Sequence, residues 1–99
     1  MINVLLVCSA GMSTSMLAKK MRDAAAAKGV EAQVRAVAEQ VAADNIDEAD
    51  VVLVGPQMRF KVEEFQKEYP NKPVAAIDAR NYGMMDGAAV MEEVLEMLG

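Results

Sequence analysis

The chain has 99 residues, a formal net charge of −5 at pH 7, and 54% apolar but only 4% aromatic residues. This length and composition predict one globular domain, residues 1–99, rather than a disordered chain. The acidic charge argues against nucleic-acid binding, which needs clustered lysine and arginine. No apolar run approaches the roughly 18 residues of a membrane span, so we expect no insertion into a membrane.

The chain contains no histidine and one cysteine, Cys8. Without histidine, the chain by itself cannot perform Cys–His or Ser–His–Asp catalysis, and a structural zinc site is disfavoured. One cysteine forms no internal disulfide, which is typical of a reducing cytoplasm, and the first residues lack the positive region of a signal peptide. We therefore expect a cytoplasmic protein with no metal and no cofactor.

The first half of the chain predicts two strands and a helix. The apolar run at residues 3–7 is typical of a strand buried on both faces. Ser13 and Thr14 offer N-cap hydroxyls for a helix that extends to about residue 28. The alternation in residues 32–37 indicates a half-exposed edge strand, and the weakly patterned residues 38–50 predict a short helix or a loop.

The second half predicts two further strands, each followed at some distance by a helix. Residues 51–54 form a second continuous apolar run, and a helix is predicted from residue 57 to about residue 69. Residues 74–77 predict a short final strand. A loop over residues 78–85 then leads to a last helix that begins at about Asp86.

The alternation of strands and helices predicts an α/β fold with parallel strands joined by right-handed crossovers. The two most apolar strands, the first and the third, should be central. We therefore predict an open four-stranded sheet of order 2-1-3-4 with helices on both faces, a Rossmann-like arrangement. Ligands of such sheets bind beyond the carboxyl ends of the strands, where the chain reverses direction. Cys8 follows strand 1 there, and Gly55-Pro56-Gln57 follows strand 3 beside it.

The segment CSAGMSTS, residues 8–15, connects the first strand to the first helix. Its backbone N–H groups and the helix N-terminus predict an anion site, and the same positive environment favours a nucleophilic thiolate. A strand-end cysteine alone is more often a packing residue. The small-residue loop, the helix start and the position at the switch point together favour phosphocysteine chemistry at Cys8.

Two other thiol chemistries have weaker support in the same segment. Cysteine phosphatases of the low-molecular-weight tyrosine phosphatase type, whose fold is similar to the predicted one, use the pattern C-x5-R-[ST]. Here the sixth residue after Cys8 is Thr14, and the segment contains no arginine to clamp the phosphoryl oxygens. A general acid would have to be Asp78 or Asp86, which we expect to be caps or surface residues. Thiol redox catalysis normally needs a second cysteine.

The motif CSAGMSTS closely resembles the active-site loop of the enzyme IIB (EIIB) components of the bacterial sugar phosphotransferase system (PTS), of the lactose/cellobiose/chitobiose type. The segments ADVVLVGPQ, PNKPV, ID and YG..DG also fall at the spacings of that family. The resemblance covers nearly the whole chain. The combination of the eight-residue loop with the downstream GPQ is specific, whereas a lone C-x-x-G would not be.

This resemblance implies a phosphocarrier, a protein-phosphocysteine–sugar phosphotransferase. By motif match, Cys8 accepts a phosphoryl group from a phosphohistidine of enzyme IIA (EIIA). It passes the group to a sugar bound to the membrane enzyme IIC (EIIC), for instance cellobiose, chitobiose or lactose. The implied phosphate cradle consists of Ser9, Ala10, Gly11, Met12, Ser13, Thr14 and Ser15. We expect a monomer, because the site must face two partners in turn.

Gln57 and Tyr82 match family-like motifs, and we expect them at the rim of the cleft unless they serve in capping or packing. Met12, Met84 and Met85 are expected either to form an apolar docking rim or to pack in the core. Two other functions stay open. One is a small tyrosine phosphatase, which predicts turnover of an aryl phosphate, and the other is a non-catalytic regulatory module whose phosphorylation acts as a signal.

Overall fold

The computed structural model describes residues 1–8 and 11–99, and of residues 11–13 it describes the backbone alone. The strands are β1 Ile2–Cys8, β2 Ala32–Ala38, β3 Val51–Val54 and β4 Val74–Ala76. The α-helices are α1 Gly11–Ala27, α2 Ala42–Asn45, α3 Val62–Glu68, α4 Ala79–Gly83 and α5 Gly87–Leu98. Short 3-10 helices cover Glu39–Val41, Ile46–Glu48 and Pro56–Lys61.

The strands form one parallel sheet in the order β2-β1-β3-β4. The predicted strand order is therefore confirmed. Its physical basis is that the continuously apolar β1 and β3 need cover on both faces, whereas the alternating β2 tolerates an edge. The register aligns Cys8 with Ala38 of β2, and Val7 with Val54 of β3.

Successive side chains of β1 enter two core layers on opposite faces of the sheet, as the pleat of a strand requires. Val4 and Leu6 pack in a first layer with apolar residues of α1 and α5. Leu5 and Val7 pack in a second layer with residues of α2 and α3. The prediction of helices on both faces is confirmed.

Two predictions about where helices begin and how far they extend are wrong. The helix α1 begins at Gly11, so Ser13 and Thr14 lie in its first turn and not at its N-cap. The segment after β3 is not one helix, because a 3-10 helix precedes α3 and Met58 leaves helical geometry at φ −116° and ψ 18°. Met58 is nevertheless buried in the second core layer, and this tertiary packing outweighs the local helical pattern.

The predicted loop over residues 78–85 contains the short helix α4. The Asp78 carboxylate caps it, accepting hydrogen bonds from the backbone N–H groups of Arg80 and Asn81 at 2.9 and 3.2 Å. The last helix begins where it was expected, because the Asp86 carboxylate accepts a hydrogen bond from the Ala89 N–H at 3.0 Å. Both aspartates are therefore N-caps, which was one of their expected roles.

In the described part of the chain, no helix has the length and apolar character needed to cross a membrane.

Candidate functional site at the carboxyl edge of the sheet

The topology places Cys8 at the point where the chain reverses direction. From β1 the chain crosses to β2 on one side, and it later returns to β3 on the other side of β1. Cys8 is the last residue of β1 and pairs with Ala38, the last residue of β2. Cys8 therefore lies at the carboxyl edge of the sheet between the chain ends of both neighbours, where open α/β sheets bind ligands.

The Cys8 thiol is fully buried, with 0% of the residue exposed. Its Sγ lies 3.7 Å from the backbone carbonyl oxygen of Val37, to which the S–H group donates a weak hydrogen bond. This contact belongs to the protonated thiol, because a thiolate has no hydrogen to donate.

Gly55 and Gln57 form the edge next to β1. The Gly55 N–H donates to the Val7 carbonyl at 3.0 Å, which extends the β1–β3 pairing by one residue. The Gln57 side chain folds back over Gly55, so a Cβ added there would lie 2.9 Å from Gln57 Oε1. Gln57 itself is exposed and lies at the predicted edge. Its role at a cleft stays a prediction.

The structure brings Thr14 and Tyr82 together across 68 residues of sequence. Thr14, in the first turn of α1, is fully buried, and its Oγ1 lies 3.4 Å from the Tyr82 hydroxyl. This distance is long for a hydrogen bond between hydroxyls. The Tyr82 ring is partly buried against the first core layer. Two residues predicted for different parts of the site are thus direct neighbours.

The rest of the predicted cradle is described only in part. Ser9 and Ala10 lie outside the described residues, as do the side chains of Met12 and Ser13. The backbone of residues 11–13 is helical, and Ser15 is exposed in the same helix. The first turn of a helix leaves N–H groups without intrahelical partners, so this end of α1 has the donors that an anion needs.

The two methionines before Asp86 have different environments. Met84 is 65% exposed, so its expected role in a docking rim stays a prediction. Met85 is partly buried against the first core layer, which agrees with the packing alternative. Its backbone has a φ of 53°, the left-handed conformation that non-glycine residues adopt infrequently.

Glu93 is a residue near the site that the sequence reasoning missed. Its carboxylate accepts hydrogen bonds from the Asp78 N–H at 3.3 Å and from the Asn81 side-chain amide at 3.1 Å. It thereby ties α5 to the segment that carries Tyr82. No local sequence pattern predicts this contact, because an acidic residue on an outer helix normally lies on a solvated face.

The described residues contain no group of three or more aspartate, glutamate, cysteine or histidine side chains arranged to hold a metal ion.

Comparison with known families shows the family to which the chain belongs. A family model for the lactose/cellobiose-specific IIB subunit of the PTS matches residues 3–93. The chain belongs to this family. It is 44% identical over 97 residues to the oligo-beta-mannoside-specific EIIB component of Bacillus subtilis (strain 168), covering 96% of this chain and 94% of that protein. The resemblance of the chain to the EIIB family is thus confirmed, and its general role is phosphotransfer in a sugar PTS.

Solved structures agree with this assignment. The cellobiose-specific IIB component of Borrelia burgdorferi matches with a TM-score of 0.71 and 39% identity, over 97% of this chain and 86% of that one. The lactose-specific IIB domain of Streptococcus pneumoniae matches with a TM-score of 0.89 at 19% identity, over 99% of this chain and 98% of that one. At that identity the likeness shows the fold alone.

The expected similarity to the tyrosine phosphatase fold is also confirmed. The structure of a YwlE mutant from Bacillus subtilis, which has that fold, matches with a TM-score of 0.66 at 12% identity, over 99% of both chains. At this identity the likeness shows the fold alone and is no evidence of a shared activity.

Proposed function

We propose that this EIIB protein is a cytoplasmic, monomeric phosphocarrier in which Cys8 is the covalent acceptor. Cys8 takes a phosphoryl group from a phosphohistidine of EIIA and delivers it to a sugar bound to the membrane component EIIC. One observation carries the proposal: in a chain of the EIIB family, the lone cysteine ends the central strand β1 at the switch point. The start of α1 follows three residues later.

The first transfer is an in-line displacement at phosphorus. A local opening first exposes the buried Cys8 sulfur to the partner. The thiolate then attacks, the S–P bond forms, and the P–N bond to the donor imidazole breaks. The imidazole nitrogen keeps the electron pair of that bond and takes up a proton, which balances the proton that Cys8 lost. Such transfers proceed through a loose transition state, so catalysis consists mainly of positioning and of stabilising charge on the phosphoryl oxygens.

The segment from Ser9 to Ser15 supplies the donors for those oxygens in this proposal. Backbone N–H groups at the start of α1 and hydroxyls of the segment bind the phosphoryl group, while Gln57 and Tyr82 form the rim. The segment contains no arginine. That composition suits a carrier, because the group must be held for a second partner and not hydrolysed by strong transition-state stabilisation.

In the second transfer, Cys8 is the leaving group and no longer the nucleophile. A sugar hydroxyl on EIIC attacks phosphorus, the S–P bond breaks, and Cys8 leaves as the thiolate. EIIC supplies the base for the sugar hydroxyl. The relatives compared above are named for an oligo-beta-mannoside, cellobiose and lactose. Because these sugars share β-glycosidic links, we propose a β-linked disaccharide or short oligosaccharide as the sugar.

Intact-mass spectrometry tests the acceptor. The protein is incubated with phosphoenolpyruvate, the general PTS proteins and a candidate EIIA, with Cys8→Ser in parallel. One phosphoryl group on the wild type, dependent on EIIA and absent from Cys8→Ser, is the expected result. An adduct that persists in Cys8→Ser would assign the acceptor elsewhere. Turnover of an aryl phosphate without any adduct from an active EIIA would favour a phosphatase instead.

A further inference from the structure

Among the described residues, Thr14 is the one polar side chain that is fully buried. A buried hydroxyl costs free energy unless it has a hydrogen-bond partner. The described partner of Thr14 is the Tyr82 hydroxyl at 3.4 Å. This pair is therefore a direct link between the first turn of α1, which follows Cys8, and the segment that follows β4.

Tyr82 depends on other residues for its position. It belongs to α4, whose five residues are too few for a helix that is stable by itself. Glu93 of α5 holds this short helix by accepting from both the Asp78 N–H and the Asn81 side-chain amide. On the far side of α4, the Asp86 N–H donates to the Asn81 carbonyl at 2.9 Å.

We propose that Glu93 and Tyr82 are positioning residues for phosphoryl acceptance by Cys8, a role that rests on the function proposed above. Glu93 fixes α4, α4 presents the Tyr82 hydroxyl, and that hydroxyl holds the first turn of α1 through Thr14. The N–H donors of this turn must meet the phosphoryl oxygens within a few tenths of an ångström to be effective. The long Thr14–Tyr82 contact shortens when the turn closes on the phosphoryl group, as such contacts do on binding.

The first test compares the two tyrosines of the chain. Single-turnover transfer from phosphorylated EIIA is measured at increasing EIIA concentrations for wild type, Tyr82→Phe and Tyr69→Phe. Tyr69 is the matched control, because it packs near Phe65 at the opposite face of the sheet. We expect Tyr82→Phe to lower the maximal rate about fivefold to tenfold, the effect of one hydrogen bond, with the half-saturating EIIA concentration unchanged. Tyr69→Phe should stay within about twofold of wild type.

The second test concerns Glu93. Glu93→Leu removes both acceptor oxygens at a similar side-chain size, so the maximal rate should fall to a similar extent. Glu93→Gln should retain most of the rate, because its amide accepts from the Asp78 N–H and, once the Asn81 amide turns over, donates to the Asn81 oxygen. Glu96→Leu, at an exposed carboxylate one turn further along α5, is the charge-matched control. Because both residues act through one contact, Glu93→Leu and Tyr82→Phe combined should slow transfer no more than the slower single variant.

The outcomes separate the two proposals. A wild type that receives no phosphoryl group from an active EIIA would refute the proposed function, and the positioning role with it. A phosphorylated wild type with Tyr82→Phe and Glu93→Leu indistinguishable from their controls would refute the positioning role alone. A raised half-saturating concentration at an unchanged maximal rate would also refute it, since Tyr82 would then serve docking. If Glu93→Leu fails to fold, Tyr82→Phe, which removes a single hydroxyl, still decides the question.

Discussion

The backbone of Gly87 in α5 lies directly against the backbone of Lys20 in α1. A Cβ added at Gly87 would lie 2.4 Å from the Lys20 carbonyl carbon and 2.6 Å from its oxygen, which is closer than such atoms approach in proteins. The two helices thus cross at a point where only glycine fits. Since α1 carries the start of the proposed site and α5 carries Glu93, this crossing fixes the two sides of the site relative to each other.

Gly87→Ala should therefore destabilise the protein by about 2–3 kcal/mol, because the helices must separate and backbone atoms cannot yield as a flexible side chain does. Urea denaturation followed by circular dichroism measures the change. Gly83→Ala is the control, since an added Cβ at Gly83 meets no atom within 4 Å. It should stay within about 1 kcal/mol of wild type. Equal stability of the two variants would contradict the close crossing.

Lys61 should contribute to stability in a pH-dependent way. Its ammonium binds Glu39 at 2.8 Å and Glu64 at 3.2 Å. The hydrogen bond to Glu39, followed by that to Glu64, raises the pKa of Lys61 above its ordinary 10.5. Because the folded pKa is the higher one, the stabilisation is complete below the unfolded pKa and is lost as pH rises through the folded pKa.

The comparison of wild type with Lys61→Met tests this dependence. The difference in unfolding free energy between the two should be constant from pH 7 to about 9 and should shrink above about pH 10.5. Lys67→Met is the control, since Lys67 is exposed and lies 3.8 Å from Glu63, where an ion pair contributes little. A Lys61→Met difference that does not change up to pH 12 would show that the ion pairs do not stabilise the fold.

The Asp86 cap should be measurable in the stability of α5. Asp86→Ala removes the acceptor for the Ala89 N–H and should cost about 1 kcal/mol in equilibrium unfolding. Asp86→Asn retains a cap oxygen and should differ from wild type by only a few tenths of a kcal/mol. If alanine and asparagine at this position are equally stable, the hydrogen bond is not formed in solution.

The buried Cys8 thiol should react slowly. Alkylation by iodoacetamide at pH 8 should be roughly tenfold to a hundredfold slower in the folded protein than in urea, because the sulfur must first become exposed by a local opening. Liquid chromatography with mass detection gives both rates, and glutathione under both conditions corrects for the effect of urea. Labelling of the folded protein at the rate of free glutathione would mean that Sγ is open to solvent.

The sheet is the part of the fold that the sequence predicted best. The strand order and the two central strands follow from continuous apolar runs at residues 4–7 and 51–54, because a strand segment without polar positions must be covered on both faces. The start of α5 followed from Asp86, whose capping is a local interaction. The location of Cys8 at the carboxyl edge followed from the order of the elements alone.

The helices that depend on tertiary contacts were predicted poorly. The helix α4 is too short to be recognised from a sequence pattern. It is stabilised by hydrogen bonds to Glu93, which belongs to α5. The irregular backbone at Met58 arises because the side chain packs in the second core layer. Propensity is a weak prior, and packing overrides it wherever an element is only one or two turns long.

The same distinction between local and tertiary interactions applies to the candidate site. The sequence by itself determined the residue types and their order: one cysteine, a small-residue segment without arginine, and a helix directly after it. Only the tertiary structure decided that the Cys8 sulfur is buried toward Val37 and that Thr14 meets Tyr82. The reason is the separation of the partners along the sequence. Motifs and caps are interactions between residues a few positions apart, whereas these contacts join residues 29 and 68 positions apart. Such contacts exist only after the packing of α1, the sheet and α5 has brought the distant segments together.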